Sequence, residues 1–185
     1  MPPEFQFRSL TEDDFELLHA WLNQPQVREF YQKEPITLAE VDAHYRPRLA
    51  LGWPTRCFIA MIDHEPFAYL QTYTLAAWPD YAASLHLDHG TSMDFYIGDP
   101  AYGGRGLGQA MLRQFLDRVM WVLYPSESLC YLAHAASNHR ALAASRAAGF
   151  QHLRNLMEDG QTISLLVFEL NHPISIDYCK KCAYS

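Results

Sequence analysis

The chain has 185 residues, 49% of them hydrophobic and 14% aromatic, and a formal net charge of −7. That length suits one domain around one core, and no apolar run reaches the span of a membrane helix. The basic residues are scattered and the balance is acidic, which excludes a nucleic-acid surface and favours a cationic small-molecule partner such as a polyamine or an amino-sugar.

Residues 5–10 alternate and predict a first strand. Thr11, followed by acidic residues, is an N-cap for a helix to about Asn23, with Phe15, Leu18 and Leu22 on one face and Pro25 as its stop. Thr37 and Glu40 form a capping box for a second helix to about Leu51. Residues 56–62 and 67–74 predict a hairpin around Asp63-His64-Glu65-Pro66. Residues 75–91 read as a long loop carrying Trp78, Asp80, Tyr81, His86, Asp88 and His89, and loops of that length are usually lids or binding loops. A strand over 93–97, a glycine turn and a helix from Leu107 to about Val122 follow. Then come a buried strand over 129–132 and an alanine-rich helix over 138–148, ended by Gly149. A last hairpin covers 151–157 and 163–170. The order predicts an α+β protein with one domain over 1–170, a tail over 171–185, no repeats and no linker.

Cys57 and Cys130 lie in apolar runs and read as small buried hydrophobes. Cys179 and Cys182 have C-x-x-C spacing in the tail, half of a zinc site with no second pair. His86, Asp88 and His89 lack a third ligand at a recognisable spacing, so no metal is expected. The opening Met1-Pro2-Pro3-Glu4 lacks a charged-then-apolar leader, and the expected location is the cytoplasm.

The glycine turn carries most information. Gly103, Gly104, Gly106 and Gly108 fall within six residues and open the helix from Leu107. Missing side chains let a ligand touch backbone, and free N–H groups at a helix start bind phosphate. Gln109 and Ala110 stand where a P-loop needs Lys and Ser or Thr, and Met111 stands where a dinucleotide fingerprint needs its third glycine. Both of those nucleotide loops are thereby excluded.

What remains, Gly103-Gly104-Arg105-Gly106-Leu107-Gly108, resembles the pyrophosphate loop of the GNAT superfamily of acyl-coenzyme A N-acyltransferases, with Gly103 in the place of a Gln or Arg. Asn138-His139-Arg140-Ala141, ending in Ala148-Gly149-Phe150, resembles a second segment of that family. The resemblance covers about residues 5–170 and extends to the element order, so it implies the GNAT fold: a mixed, mostly antiparallel sheet flanked by helices. Trp21-Leu22-Asn23, Ala68-Tyr69 and Met93-Asp94-Phe95-Tyr96-Ile97-Gly98 resemble the aminoglycoside 6′-N-acetyltransferases, with the siderophore acyltransferases as near relatives. The family's tyrosine that bonds the departing thiolate falls at Ser145, and an acidic position on the preceding strand falls at Ala133, beside His134.

The resemblance implies acetyl-CoA as co-substrate and a primary amine of a small cationic molecule as acceptor, an aminoglycoside being one candidate. The alternatives are a siderophore-type hydroxylamine acyltransferase and a weakly catalytic acyl-CoA sensor. Asp94 is the expected base, with Tyr96, Ser145 or a water serving the leaving sulfur. Backbone of Gly103, Gly104, Arg105, Gly106, Leu107, Gly108 and Gln109 is expected at the pyrophosphate, that of Phe95, Tyr96 and Ile97 at the pantetheine arm, and Asn138 and Ala141 beside it. Trp21, Tyr73, Trp78, Asp80, Asp88 and Asp94 are the expected acceptor-binding residues. The expected assembly is a monomer or homodimer.

Overall fold

The structure, a computed structural model, describes residues 3–170. Cys179 and Cys182 lie outside the described residues. The elements are β1 (Gln6–Ser9), α1 (Phe15–Leu22), α2 (Pro25–Arg28), α3 (Leu38–Tyr45), β2 (Arg56–Ile62), β3 (Glu65–Thr74), α4 (Pro79–Ser84), β4 (Thr91–Ile97), α5 (Leu107–Phe115), α6 (Trp121–Leu123), β5 (Leu129–Ala135), α7 (His139–Ala147), β6 (Gln151–Glu158) and β7 (Gln161–Glu169). A single π-helical turn, Leu116–Met120, joins α5 to α6.

The strands form one seven-stranded sheet in the order β1-β2-β3-β4-β5-β7-β6. Every neighbouring pair is antiparallel except β4 and β5, which run parallel. That parallel pair is short: Thr91 faces Cys130, Ser92 faces Tyr131, and no pairing follows. β4 meanwhile stays paired with β3 along its whole length, from Thr91–Thr74 to Ile97–Ala68. The sheet therefore opens between β4 and β5.

Both faces of the sheet are covered, which the alternation of side chains along the strands permits. One face carries Phe58, Leu70, Met93 and Leu132 against Met111, Leu112 and Phe115 of α5. The other carries Ile59, Tyr69 and Tyr96 against Leu18, Trp21 and Leu22 of α1 and Val41 and Tyr45 of α3. Cys57 and Cys130 are buried and free, as small apolar residues in a core.

The local signals behave as their chemistry requires, with three corrections. Thr11 caps a 3-10 turn, Glu12–Asp14, ahead of α1; the Asp14 carboxylate accepts from Thr11 N at 2.9 Å and from both Arg8 amino groups at 2.6 and 2.7 Å. Pro25 does not merely stop α1: it occupies the first turn of α2, where its missing N–H is no loss. The capping box at Thr37 and Glu40 forms, but α3 ends at Tyr45, and Arg46–Leu49 becomes a 3-10 turn with Pro47 in its first turn. The third correction concerns residues 75–91, expected as a loop. They fold into a 3-10 turn, Leu75–Ala77, and α4, because Pro79 starts the helix and Leu75, Ala82, Leu85 and Leu87 bury against Tyr131 and Leu165.

Candidate active site

Where β4 and β5 part, the structure holds a cleft of about 820 Å³. Its walls are β4 from Asp94 to Ile97, the glycine turn, the start of α5, the end of β5, the face of α7 and the stretch from Gln26 to Tyr31 at α2. Gly104 and Gly106 have φ of +70° and +73°, a backbone conformation that side chains oppose. Gly106 is also the N-cap of α5 and has no side chain to cap it, so the first N–H groups of α5 point into open space. Gly108 lies against α7; a Cβ there would fall 3.4 Å from Ala144 Cβ. The turn thus presents free donors and a positive helix end to the cleft, the form of a phosphate site.

The expected coenzyme residues Phe95, Tyr96, Ile97, Gly103, Gly104, Gly106, Leu107, Gly108, Gln109, Asn138 and Ala141 all line this cleft. Arg105 does not. It is exposed, with its guanidinium 5.8 Å from the centre of the Tyr102 ring. Asn138 spends its Oδ1 as the N-cap of α7, accepting from Ala141 N at 3.1 Å. Beyond Ser92, the β4 edge that faces β5 has no strand partner, which leaves it free to pair with an extended ligand.

Asp94 faces the opposite side of the sheet. The β3–β4 register sets it across from Gln71, with Tyr69 opposite Tyr96 and Tyr73 opposite Ser92. Gln71 Nε2 donates to Asp94 Oδ2 at 2.8 Å, while Gln71 Oε1 accepts from Arg48 and, at 3.0 Å, from the Tyr69 hydroxyl. Arg48 comes from the 3-10 turn after α3, stacks over Tyr45 and touches His44 Nε2 at 2.6 Å. Burial raises the Asp94 carboxyl above the ordinary range; Gln71, the Arg48 charge and the Tyr73 hydroxyl act against it without cancelling it. A half-buried carboxylate held this way is a stronger base than one in water.

Tyr96 packs among Trp21, Tyr31 and Tyr69, with its buried hydroxyl close to that of Tyr45. The uncapped helix end and the free edge of β4 make the site fit an acyl-coenzyme A.

Several expected site residues lie elsewhere. Ser145 is fully buried on α7 and bonded to His134 Nε2 at 3.0 Å, so its hydroxyl does not face the cleft. Trp21 is a core residue, 4% exposed, packed so tightly on Gly98 that a Cβ there would lie 2.1 Å from the indole. Tyr73 reaches Asp94 from behind the cleft and meets the rings of Trp78 and Tyr81 at 6.4 and 6.1 Å. Asp80 and Asp88 are exposed and line no part of the cleft. Gln71, Arg48 and His134 are the residues that sequence reasoning missed. Strand alternation puts Gln71 between Tyr69 and Tyr73 on one face, but the register that brings it to Asp94 is set by tertiary pairing.

The sequence model described as "Acetyltransferase (GNAT) domain" matches residues 11–157. An aminoglycoside N(6′)-acetyltransferase type 1 of Klebsiella pneumoniae is 28% identical over 149 residues, covering 78% of this chain and 72% of that one. Among solved structures, AAC(6′)-Ib in complex with paromomycin and acetyl-CoA superposes with a TM-score of 0.73 at 23% identity, covering 90% of this chain and 93% of the other. A spermidine N-acetyltransferase of Vibrio cholerae, bound to CoA and spermine, gives a TM-score of 0.71 at 16% identity, covering 90% and 95%. The family match spans most of the chain and includes both walls of the cleft, so the chain belongs to the GNAT family of N-acetyltransferases.

Proposed function

We propose that this chain transfers the acetyl group of acetyl-CoA to a primary amine of a small cationic molecule, by direct attack in a ternary complex. The observation that carries the reading is the parting of β4 and β5 beside the uncapped start of α5, with Asp94 just past the point of parting. In this reading the pyrophosphate sits on the glycine turn and the pantetheine arm adds to the free edge of β4. The amine nitrogen attacks the thioester carbonyl, Asp94 takes the proton the nitrogen sheds, and the C–S bond breaks with its electron pair left on sulfur. A thiol, with a pKa of about 8.5, leaves far more readily than an alcohol.

Aminoglycosides and polyamines are the acceptor classes supported by the relatives, and both carry the positive charge that Asp94 attracts. The chain is read as one catalytic domain over residues 1–170, acting in the cytoplasm as a monomer or homodimer. The test is release of coenzyme A thiol from acetyl-CoA across a panel of aminoglycosides, polyamines, N-hydroxylysine and peptide N-termini. Thiol release that depends on an aminoglycoside or polyamine, with the acetylated amine found by mass spectrometry, is the expected result. Release with N-hydroxylysine alone, or with no amine of the panel, contradicts the reading.

A further inference from the structure

The leaving sulfur gains negative charge as the C–S bond breaks, and a donor placed there in advance lowers that barrier. On the β5–α7 side the cleft wall is mostly alanine: Ala133, Ala135, Ala141 and Ala144. Its polar side chains are His134, Asn138 and Arg140; the latter two stand at the start of α7, with Asn138 spent as its cap, and His134 is the one on β5. It stands just beyond the point where β5 leaves β4, as Asp94 does on β4. Its ring meets Phe95 of β4 edge-on at 5.7 Å, on the α7 side of the sheet, whereas Asp94 faces Gln71 on the other side.

The His134–Ser145 contact fixes the tautomer. Ser145 is fully buried, and its hydroxyl has no other hydrogen-bond partner among the described residues than His134 Nε2, at 3.0 Å. A buried hydroxyl hydrogen must find an acceptor, so Ser145 donates and Nε2 accepts. A neutral imidazole that accepts at Nε2 carries its hydrogen on Nδ1. Burial keeps the ring neutral, with its pKa lowered to about 4. Nδ1–H has no hydrogen-bond partner among the described residues.

We infer that His134, its tautomer set by Ser145, donates a hydrogen bond from Nδ1 to the coenzyme sulfur during acetyl transfer. The inference rests on the reading that the cleft takes acetyl-CoA. His134 gives up no proton. The C–N bond forms, the nitrogen's proton goes to Asp94, and the C–S electron pair stays on a sulfur that leaves as thiolate against Nδ1–H. The thiolate is protonated by water after release.

The test compares binding of coenzyme A and desulfo-coenzyme A by calorimetry at pH 9, where a thiol of ordinary pKa is mostly ionised. The wild-type chain is expected to prefer coenzyme A by about tenfold, the worth of one hydrogen bond to a charged group. His134→Phe is expected to erase that preference while leaving desulfo-coenzyme A affinity within about twofold. Ser145→Ala frees the tautomer and is expected to lose part of the preference. His134→Asn, which keeps an N–H near the place of Nδ1, is expected to keep most of it. A preference that survives in His134→Phe, or an equal loss for both ligands, overturns the inference and leaves the coenzyme reading standing. A wild-type chain that binds neither ligand overturns the coenzyme reading and the inference with it.

Discussion

The two walls of the cleft are built from different material. The coenzyme wall is backbone and small side chains: Gly104 and Gly106 in left-handed geometry, the uncapped N–H groups of α5, and the alanines of α7. The proposed acceptor side is a single carboxylate on the cleft, Asp94, held from behind by Gln71 and Arg48 among Tyr69, Tyr73 and Tyr96. Backbone donors need no side-chain ordering and serve any pyrophosphate equally. A side-chain network holds one carboxylate in one place, and its composition sets which amines are accepted. On the proposed reading, the first wall holds the acyl donor, and the second places the base and selects the amine.

Five substitutions press on that division. Gly106→Val puts a branched side chain at a φ of +73° in the coenzyme wall, and acetyl-CoA affinity is expected to fall about a hundredfold or more. Calorimetry on the folded variant checks this, and affinity within threefold of wild type would remove the turn from the coenzyme site. Gly98→Ala strikes the support of the acceptor wall. Its Cβ would meet the Trp21 indole at 2.1 Å, and the fold is expected to lose about 2 kcal/mol, read as a lower Tm. An unchanged Tm would mean that Trp21 moves aside at little cost.

Gln71→Leu removes the hydrogen bond that favours ionised Asp94. Burial already holds the Asp94 carboxyl above the ordinary range, so the acid limb of the kcat profile lies above that of an exposed carboxylate. Without Gln71 that limb is expected to move further up in pH, with kcat at neutral pH down about tenfold; a limb that stays in place would separate Gln71 from Asp94. Asp80→Asn and Asp88→Asn are expected to change kcat/KM by less than about twofold, because both side chains stand outside the cleft. A large loss in either would extend the acceptor side to α4 or to the segment that follows it.

The coenzyme wall was legible in the sequence because it is local. The glycine spacing and the helix start occupy one short stretch, and Gly103 to Gly108 fold together with few distant contacts. The expectation for Asp94 came from its place just before that stretch. The acceptor wall was not. Arg48 arrives on a 3-10 turn created by Pro47, and Gln71 arrives through the β3–β4 register; neither is marked by spacing. Trp21 misled because a tryptophan on an amphipathic helix reads equally as a binding ring or a core ring, and Gly98, far along the chain, decides for the core. Residues 75–91 read as a loop, whereas apolar contacts at Leu75, Ala82 and Leu85 hold Asp80 on α4 and Asp88 just beyond it, both exposed and away from the cleft.

Asp94 is where the two walls meet, and Asp94→Asn tests the account most directly. The raised Asp94 pKa means the folded chain holds that proton more tightly than the unfolded chain does, so the ionised carboxylate destabilises the fold at neutral pH. The variant is therefore expected to keep or raise its Tm at pH 7. The decisive measurement is amine-dependent turnover by Asp94→Asn beside its acetyl-CoA affinity. The account predicts turnover down about a hundredfold or more with coenzyme affinity within about twofold of wild type. Turnover at the wild-type rate would contradict it.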